Sequence, residues 1–267
     1  MAQLSRPGTG PVNEKDFLPI NGTDHVEFYV GNAKQSSYYY RSVWGFKLIA
    51  YAGLETGVRD RASYVLQQNK IRFVLTTPLQ PEHPIGDHIK LHGDGVRDLA
   101  LWVDDADSAY RETTKRGARG VMEPTVFRDE FGEIRKSAIA IYGDTIHTFV
   151  ERRNYNGVFM PGYRPVSAEG TLATDAGLEY VDHCVGNVEL GAMNKWVDFY
   201  MGVMGFKLYQ HFDDKDISTE YSALMSKVLS SGNERIKFPI NEPAAGRRKS
   251  QIEEFLEYYR SPGVQHI

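Results

Sequence analysis

The sequence has a single cysteine, Cys184, among 267 residues, which excludes an internal disulfide and fits a reducing compartment. It has no basic surplus. Lys and Arg number 31 against 35 Asp and Glu, a net charge of −4, so the electrostatic footprint of a nucleic-acid or anionic-membrane partner is missing. No apolar run approaches the roughly 20 residues of a membrane span. The first residues, MAQLSRPGTGPVNEKDF, contain no apolar segment of signal-peptide type. The expected address is the cytoplasm. What is present is the composition of a soluble globular protein, 41% apolar and 12% aromatic, with length enough for one large or two modest domains.

The strongest pattern is an internal repeat. Thr23 to Ala33 reads TDHVEFYVGNA and Leu178 to Val188 reads LEYVDHCVGNV. Each copy leads through a helix-like segment to Gly-Phe-Lys-Leu, 21 positions from Asp24 to Gly45 and 23 from Asp182 to Gly205. Near-equal spacing of a shared pattern marks a duplication.

Residues 1–17 are polar and rich in Pro and Gly, a flexible tail. Residues 18–151 read as an N-terminal structural domain of two β-α-β-β-β modules. Strands are expected over Asp24–Val30, Phe46–Ala52, Arg61–Gln68 and Lys70–Thr76, with a helix over Ala33–Val43. Pro78 to Asp94, with His83, His88 and His92, reads as a solvated loop. The second module opens with a strand at Val96–Val103 and a helix capped by Asp104 or Asp105. Residues 152–177 read as a linker. Residues 178–267 form a C-terminal domain. Its helix is marked by Met193, Trp196, Val197, Tyr200 and Met204 at helical spacing. Strands at Phe206–Phe212, Thr219–Ser226 and Arg235–Ile240 follow. Ser250 and Glu253 form a capping box for a last helix, before a strand opening at Val264. This predicts an α+β protein of paired βαβββ modules in two half-barrel-type domains. The second module of the second half is only begun, and a half-made module leaves an uncovered strand edge. A C-terminal continuation is therefore expected. Asp98 and Glu151, 53 positions apart in the first half, set its scale.

Superimposing the halves by pattern puts His25 on His183 and Asp98 on His266, while Glu151 has no counterpart. The second half thus offers two imidazoles from the opening strands of paired modules, with a carboxylate expected from a later strand. Two His and one carboxylate on one face of a metal, with other positions open, suit non-haem Fe(II) oxygen chemistry. The first half, with Asp98 in place of a second imidazole, reads as degenerate and structural.

YVDHCVGNV, GFK, FPINEPA and RRKSQIEEFLEYYRSPGVQHI together resemble the 4-hydroxyphenylpyruvate dioxygenase family of the vicinal-oxygen-chelate superfamily, from about Leu18 to the last residue. The resemblance implies Fe(II) ligated by His183 and His266, with a third ligand, a Glu, beyond Ile267. It implies a substrate cavity lined by Ser222, Asn241, Gln251 and Gln265, whose amides and hydroxyl orient a phenol and a ketoacid. The implied reaction converts 4-hydroxyphenylpyruvate and O₂ to homogentisate and CO₂, a step of tyrosine catabolism. The substrate's own ketoacid chelates the metal, so no separate 2-oxoglutarate is needed. The implied assembly is a dimer or tetramer.

Three rivals stand beside this reading. 4-Hydroxymandelate synthase shares scaffold and substrate but oxidises the benzylic carbon. A metal-poor binding module is the second, since these 267 residues alone are expected to hold Fe(II) weakly and to turn over nothing. A glyoxalase-like isomerase, the third, wants two carboxylates at its metal.

Overall fold

The computed structural model describes residues 16–166, 174–212, 223–244 and 249–267. In the first half, β1 (Ile20–Tyr29), α1 (Ala33–Trp44), β2 (Lys47–Ala52), β3 (Arg61–Gln68) and β4 (Ile71–Pro78) lead into α2 (Pro84–His92). A second set follows: β5 (Gly95–Val103), α3 (Ala106–Lys115), β6 (Gly120–Asp129), β7 (Gly132–Ala140) and β8 (Ile146–Tyr155). A short β9 (Arg164–Pro165) precedes the second half. There β10 (Val185–Asn187), α4 (Met193–Gly202), β11 (Lys207–Phe212), β12 (Ala223–Ser230), β13 (Lys237–Ala244), α5 (Gln251–Tyr259) and β14 (Gly263–His266) complete the described chain.

The strands form two sheets, ordered β6-β7-β8-β5-β1-β4-β3-β2-β9 and β11-β12-β13-β10-β14. The second order reproduces β2-β3-β4-β1-β5 of the first, strand for strand. Registers agree as well. Glu27 on β1 faces Asp98 on β5, and Val185 on β10 faces His266 on β14. His25 and His183 lie two positions before those residues, so the correspondence expected from the repeat is the one the backbone adopts.

Local chemistry explains the repeated Gly-Phe-Lys-Leu. Gly45 and Gly205 sit at φ of 71° and 69°, left-handed positions that stop α1 and α4 at low steric cost. The next residue turns inward. Phe46 and Phe206 are almost fully buried, and their N–H groups donate to the carbonyls of Tyr40 and Tyr200. Phe46 stacks on Phe73 at 5.1 Å and Phe206 on Phe238 at 5.7 Å, with Tyr40 and Tyr200 against each pair. Each ring pair is worth about 1 kcal/mol beyond area burial. Both triads belong to one apolar core that runs through the two halves. His147 of β8 crosses the boundary too, with Nδ1 at 2.8 Å from the Leu99 carbonyl and Nε2 at 2.9 Å from the Tyr200 hydroxyl.

Three expectations need correction. Residues 78–94 are not a solvated loop: Pro84 at the first turn and the His83 ring on the Ile85 N–H start α2, which buries Ile85, His88 and His92. Composition misled there because Pro and His supply the cap and the inner face. Residues 152–177 are not simply a linker. β8 continues to Tyr155, Arg164–Pro165 pair with β2, and Phe159 and Met160 fill a second apolar cluster inside the first sheet. The strand expected at Thr219–Ser226 is Ala223–Ser230, and the start of the expected range lies outside the described residues.

Candidate functional site

His183 and His266 come together across β10 and β14, their rings edge to face with centroids 5.6 Å apart. His183 Nδ1 lies 2.9 Å from Asp182 Oδ2, and Lys237 Nζ donates to Asp182 Oδ1 at 2.8 Å. His266 Nδ1 lies 3.0 Å from Gln265 Oε1. Both acceptors fix the proton on Nδ1, so each ring keeps Nε2 as a lone pair with no partner among the described residues. Hydrogen bonds from Lys237 and then His183 outweigh burial and hold Asp182 below its ordinary range, which keeps it an acceptor. Burial, then His183, lowers the pKa of His266, so its ring is neutral near pH 7. Neutral imidazoles oriented by a carboxylate or an amide are the donor set that a divalent transition metal takes. Among the described residues, no further His, Cys, Asp or Glu joins these two in a group of three.

The other expected positions scatter. Asn241 on β13 is 8% exposed, beside Asn187 of β10 and opposite Ser226 of β12. Gln265 lies next to His266, and with its oxygen occupied it keeps an amide N–H₂ to donate. Gln251 is exposed on the first turn of α5. Ser222 lies outside the described residues. His266 and Gln265 also border a cleft of about 790 Å³ between the halves, with Tyr39, Trp44, Phe255 and Tyr258. Sequence reasoning missed Lys237 as the residue that anchors Asp182, and no motif around it signals the role. It named Asp182 only as part of a repeat, although an Asp directly before a candidate ligand His is a signal for an orienting partner.

The equivalent place in the first half is closed. His25 Nδ1 lies 2.6 Å from Asp24 Oδ1, and Asp24 also takes two hydrogen bonds from Arg152. Burial works against the Asp24 charge, but Arg152 and His25 hold it well below the usual carboxylate range. Phe159 packs edge-on against the His25 ring at 5.3 Å. Asp98, buried and accepting from Thr148, is pushed up to about 6, mainly by desolvation. A metal ligand needs an open side, and this site has none.

A family model described as Glyoxalase/Bleomycin resistance protein/Dioxygenase superfamily matches residues 22–135 and 180–267. The chain is 45% identical, over 98% of its length, to a 4-hydroxyphenylpyruvate dioxygenase of Aspergillus fumigatus, and covers 70% of that protein. Similarity to the enzyme of that name from Coccidioides posadasii is 43% over 98% of this chain and 69% of the relative. Among solved structures, a triple mutant of 4-hydroxymandelate synthase from Streptomyces coelicolor superposes with a TM-score of 0.80 at 26% identity, covering 93% of this chain and 70% of that one. The closed first half, the open histidine pair in the second and these similarities agree: the chain belongs to the 4-hydroxyphenylpyruvate dioxygenase family.

Proposed function

We propose that the protein converts 4-hydroxyphenylpyruvate and O₂ to homogentisate and CO₂, with Fe(II) held by His183, His266 and a glutamate beyond Ile267. The observation that carries the reading is the His183–His266 pair, ring centroids 5.6 Å apart, each with Nδ1 engaged and Nε2 without a partner among the described residues. Bound Fe(II) would supply activation of O₂ and oxidative decarboxylation of the ketoacid. The chain's own residues do the rest. Asp182 holds the proton on His183 Nδ1, and Lys237 holds Asp182. Gln265 holds the proton on His266 Nδ1 while its amide N–H₂ is available to a substrate oxygen. Buried Asn241 offers a polar group beside Asn187 and Ser226, where a substrate that leaves it unpaired is disfavoured. We assign Ser222 and Gln251 to the same cavity on the family resemblance.

The chain is taken to work in the cytoplasm as a dimer or tetramer, without nucleic-acid or membrane partners. No helix among the described residues is long and apolar enough to cross a membrane. The units proposed are residues 1–17 as a tail, 18–151 as the structural domain and 178–267 as the metal-bearing domain. Product analysis of the whole enzyme with Fe(II) and 4-hydroxyphenylpyruvate tests the function. Homogentisate is expected. 4-Hydroxymandelate would instead assign the synthase reaction, and no oxygen uptake would reject both.

A further inference from the structure

A second constellation lies in the first half, away from the His183–His266 pair. His88 and His92 occupy positions i and i+4 of α2, which puts both rings on one helix face. Asp144, in the turn between β7 and β8, completes a group whose ligand atoms all lie within 4.8 Å of one another. His92 Nδ1 is 2.5 Å from the Tyr259 carbonyl, which can only accept, so that nitrogen carries the proton. The other ring nitrogen, Nε2, faces Asp144 Oδ2 at 3.0 Å. Two acceptors in contact need a positive centre between them.

His88 decides what that centre is. Its side chain is 4% exposed, neither ring nitrogen has a hydrogen-bond partner among the described residues, and Nδ1 lies 3.6 Å from the same Asp144 oxygen. A proton on His92 would satisfy one contact and leave His88 orphaned beside an imidazolium. A metal ion satisfies all three groups. The distances suit it, since two ligands about 2.1 Å from a tetrahedral ion are about 3.4 Å from each other, and Asp144 Oδ2 lies 3.0 Å from His92 and 3.6 Å from His88. The Asp144 side chain is 49% exposed, which leaves a side open to water as a further ligand.

We propose that His88, His92 and Asp144 form a binding site for a divalent transition-metal ion of the zinc class, separate from the histidine pair of the second half. Two imidazoles and one carboxylate favour such an ion over Mg²⁺ or Ca²⁺. The site ties the halves together. The His92 proton is held by the carbonyl of Tyr259, the last residue of α5, and the Tyr259 ring stacks on His92 at 4.3 Å. β14, which carries His266, starts four residues later.

Co²⁺ binding to the whole enzyme carrying His183→Ala tests this, because that change removes the other imidazole pair. After dialysis against Co²⁺ and desalting, elemental analysis and visible absorption are expected to show one ion per chain. Asp144→Asn and His88→Gln, each added to that background, are expected to weaken binding tenfold or more. Asp144 is half exposed, so its variant keeps the fold and decides the matter if the His88 variant does not. No retained Co²⁺ in the His183→Ala chain, or unchanged binding in the Asp144 variant, overturns the proposal.

Discussion

The two halves use one motif for two purposes. In the first, Asp24-His25 is buried: the His25 and Asp24 side chains are 6% and 1% exposed, with Arg152 bonded to the carboxylate and Phe159 against the ring. In the second, the Asp182 and His183 side chains are 50% and 39% exposed, and the facing strand presents a second imidazole, His266, where the first half has Asp98. The backbone registers coincide, so the difference lies in the side chains around the doublet. A duplicated scaffold frees one copy from chemistry. That copy has turned its Asp-His pair into an ion-pair bolt that pins the segment after β8 inside the first sheet.

The largest test of this contrast exchanges one residue type at equivalent positions. In the whole enzyme, His183→Ala is expected to abolish iron retention and turnover, while His25→Ala leaves one iron per chain. Iron lost from the His25 variant would break the comparison. Next in size is removal of the two carboxylates. Asp24→Asn strips the partly buried Arg152 guanidinium of its buried partner and should cost about 3 kcal/mol in urea unfolding. Asp182→Asn should leave the unfolding midpoint nearly unchanged and weaken metal binding by about 10–100-fold, the usual effect of losing an orienting partner. Equal stability losses would mean that both doublets are structural.

Much of this contrast is legible in the sequence. The repeated Asp-His, the Gly-Phe-Lys-Leu and the substitution of Asp98 for a second histidine give the duplication and say which half kept its imidazoles. What fills the first half is not legible. Arg152 and Phe159 lie in a Gly-rich stretch without periodicity, because residues that plug a curled sheet obey neither the helical nor the strand period. α2 was hidden for a related reason. Its Pro, Gly and His residues read as loop chemistry until the fold supplies Tyr29 and Tyr259 for the His88 and His92 rings to pack on. Lys237 was silent because a partly buried lysine at the start of a strand carries no pattern of its own.

A smaller effect separates the halves by pH. His147 is fully buried between them, and desolvation lowers its pKa from 6.5 to about 4. A histidine with a depressed folded pKa contributes stability that is present above about 6.5 and lost as pH falls toward 4, about 3 kcal/mol across that window. Asp98 has the opposite sign: its pKa rises from 3.8 to about 6, so its contribution is present below 3.8 and lost as pH rises through 6. His147→Gln retains a donor for the Leu99 carbonyl and an acceptor for the Tyr200 hydroxyl but does not titrate. The fall in melting temperature between pH 7 and pH 5 should become shallower in this variant. An unchanged slope would put the acid sensitivity elsewhere.

The smallest expected effect concerns the residue after the repeated glycine. Asn32 caps α1, its side-chain oxygen taking the Gln35 N–H at 3.0 Å, whereas the matching Asn187 lies fully buried in β10. Neither polar atom of the Asn187 amide has a hydrogen-bond partner among the described residues. The difference arises because α1 begins at once after its glycine-asparagine pair, while α4 waits until Met193 and starts on Ala192 without a side-chain cap. Asn32→Ala should therefore cost about 1 kcal/mol, the usual loss of an N-cap. Asn187→Leu removes a buried amide that forms no bond and adds apolar contact, so its change should be near zero or stabilising. Chemical denaturation of both variants measures the pair. A loss at Asn187 larger than at Asn32 would show that the second copy of the motif holds its amide for a partner.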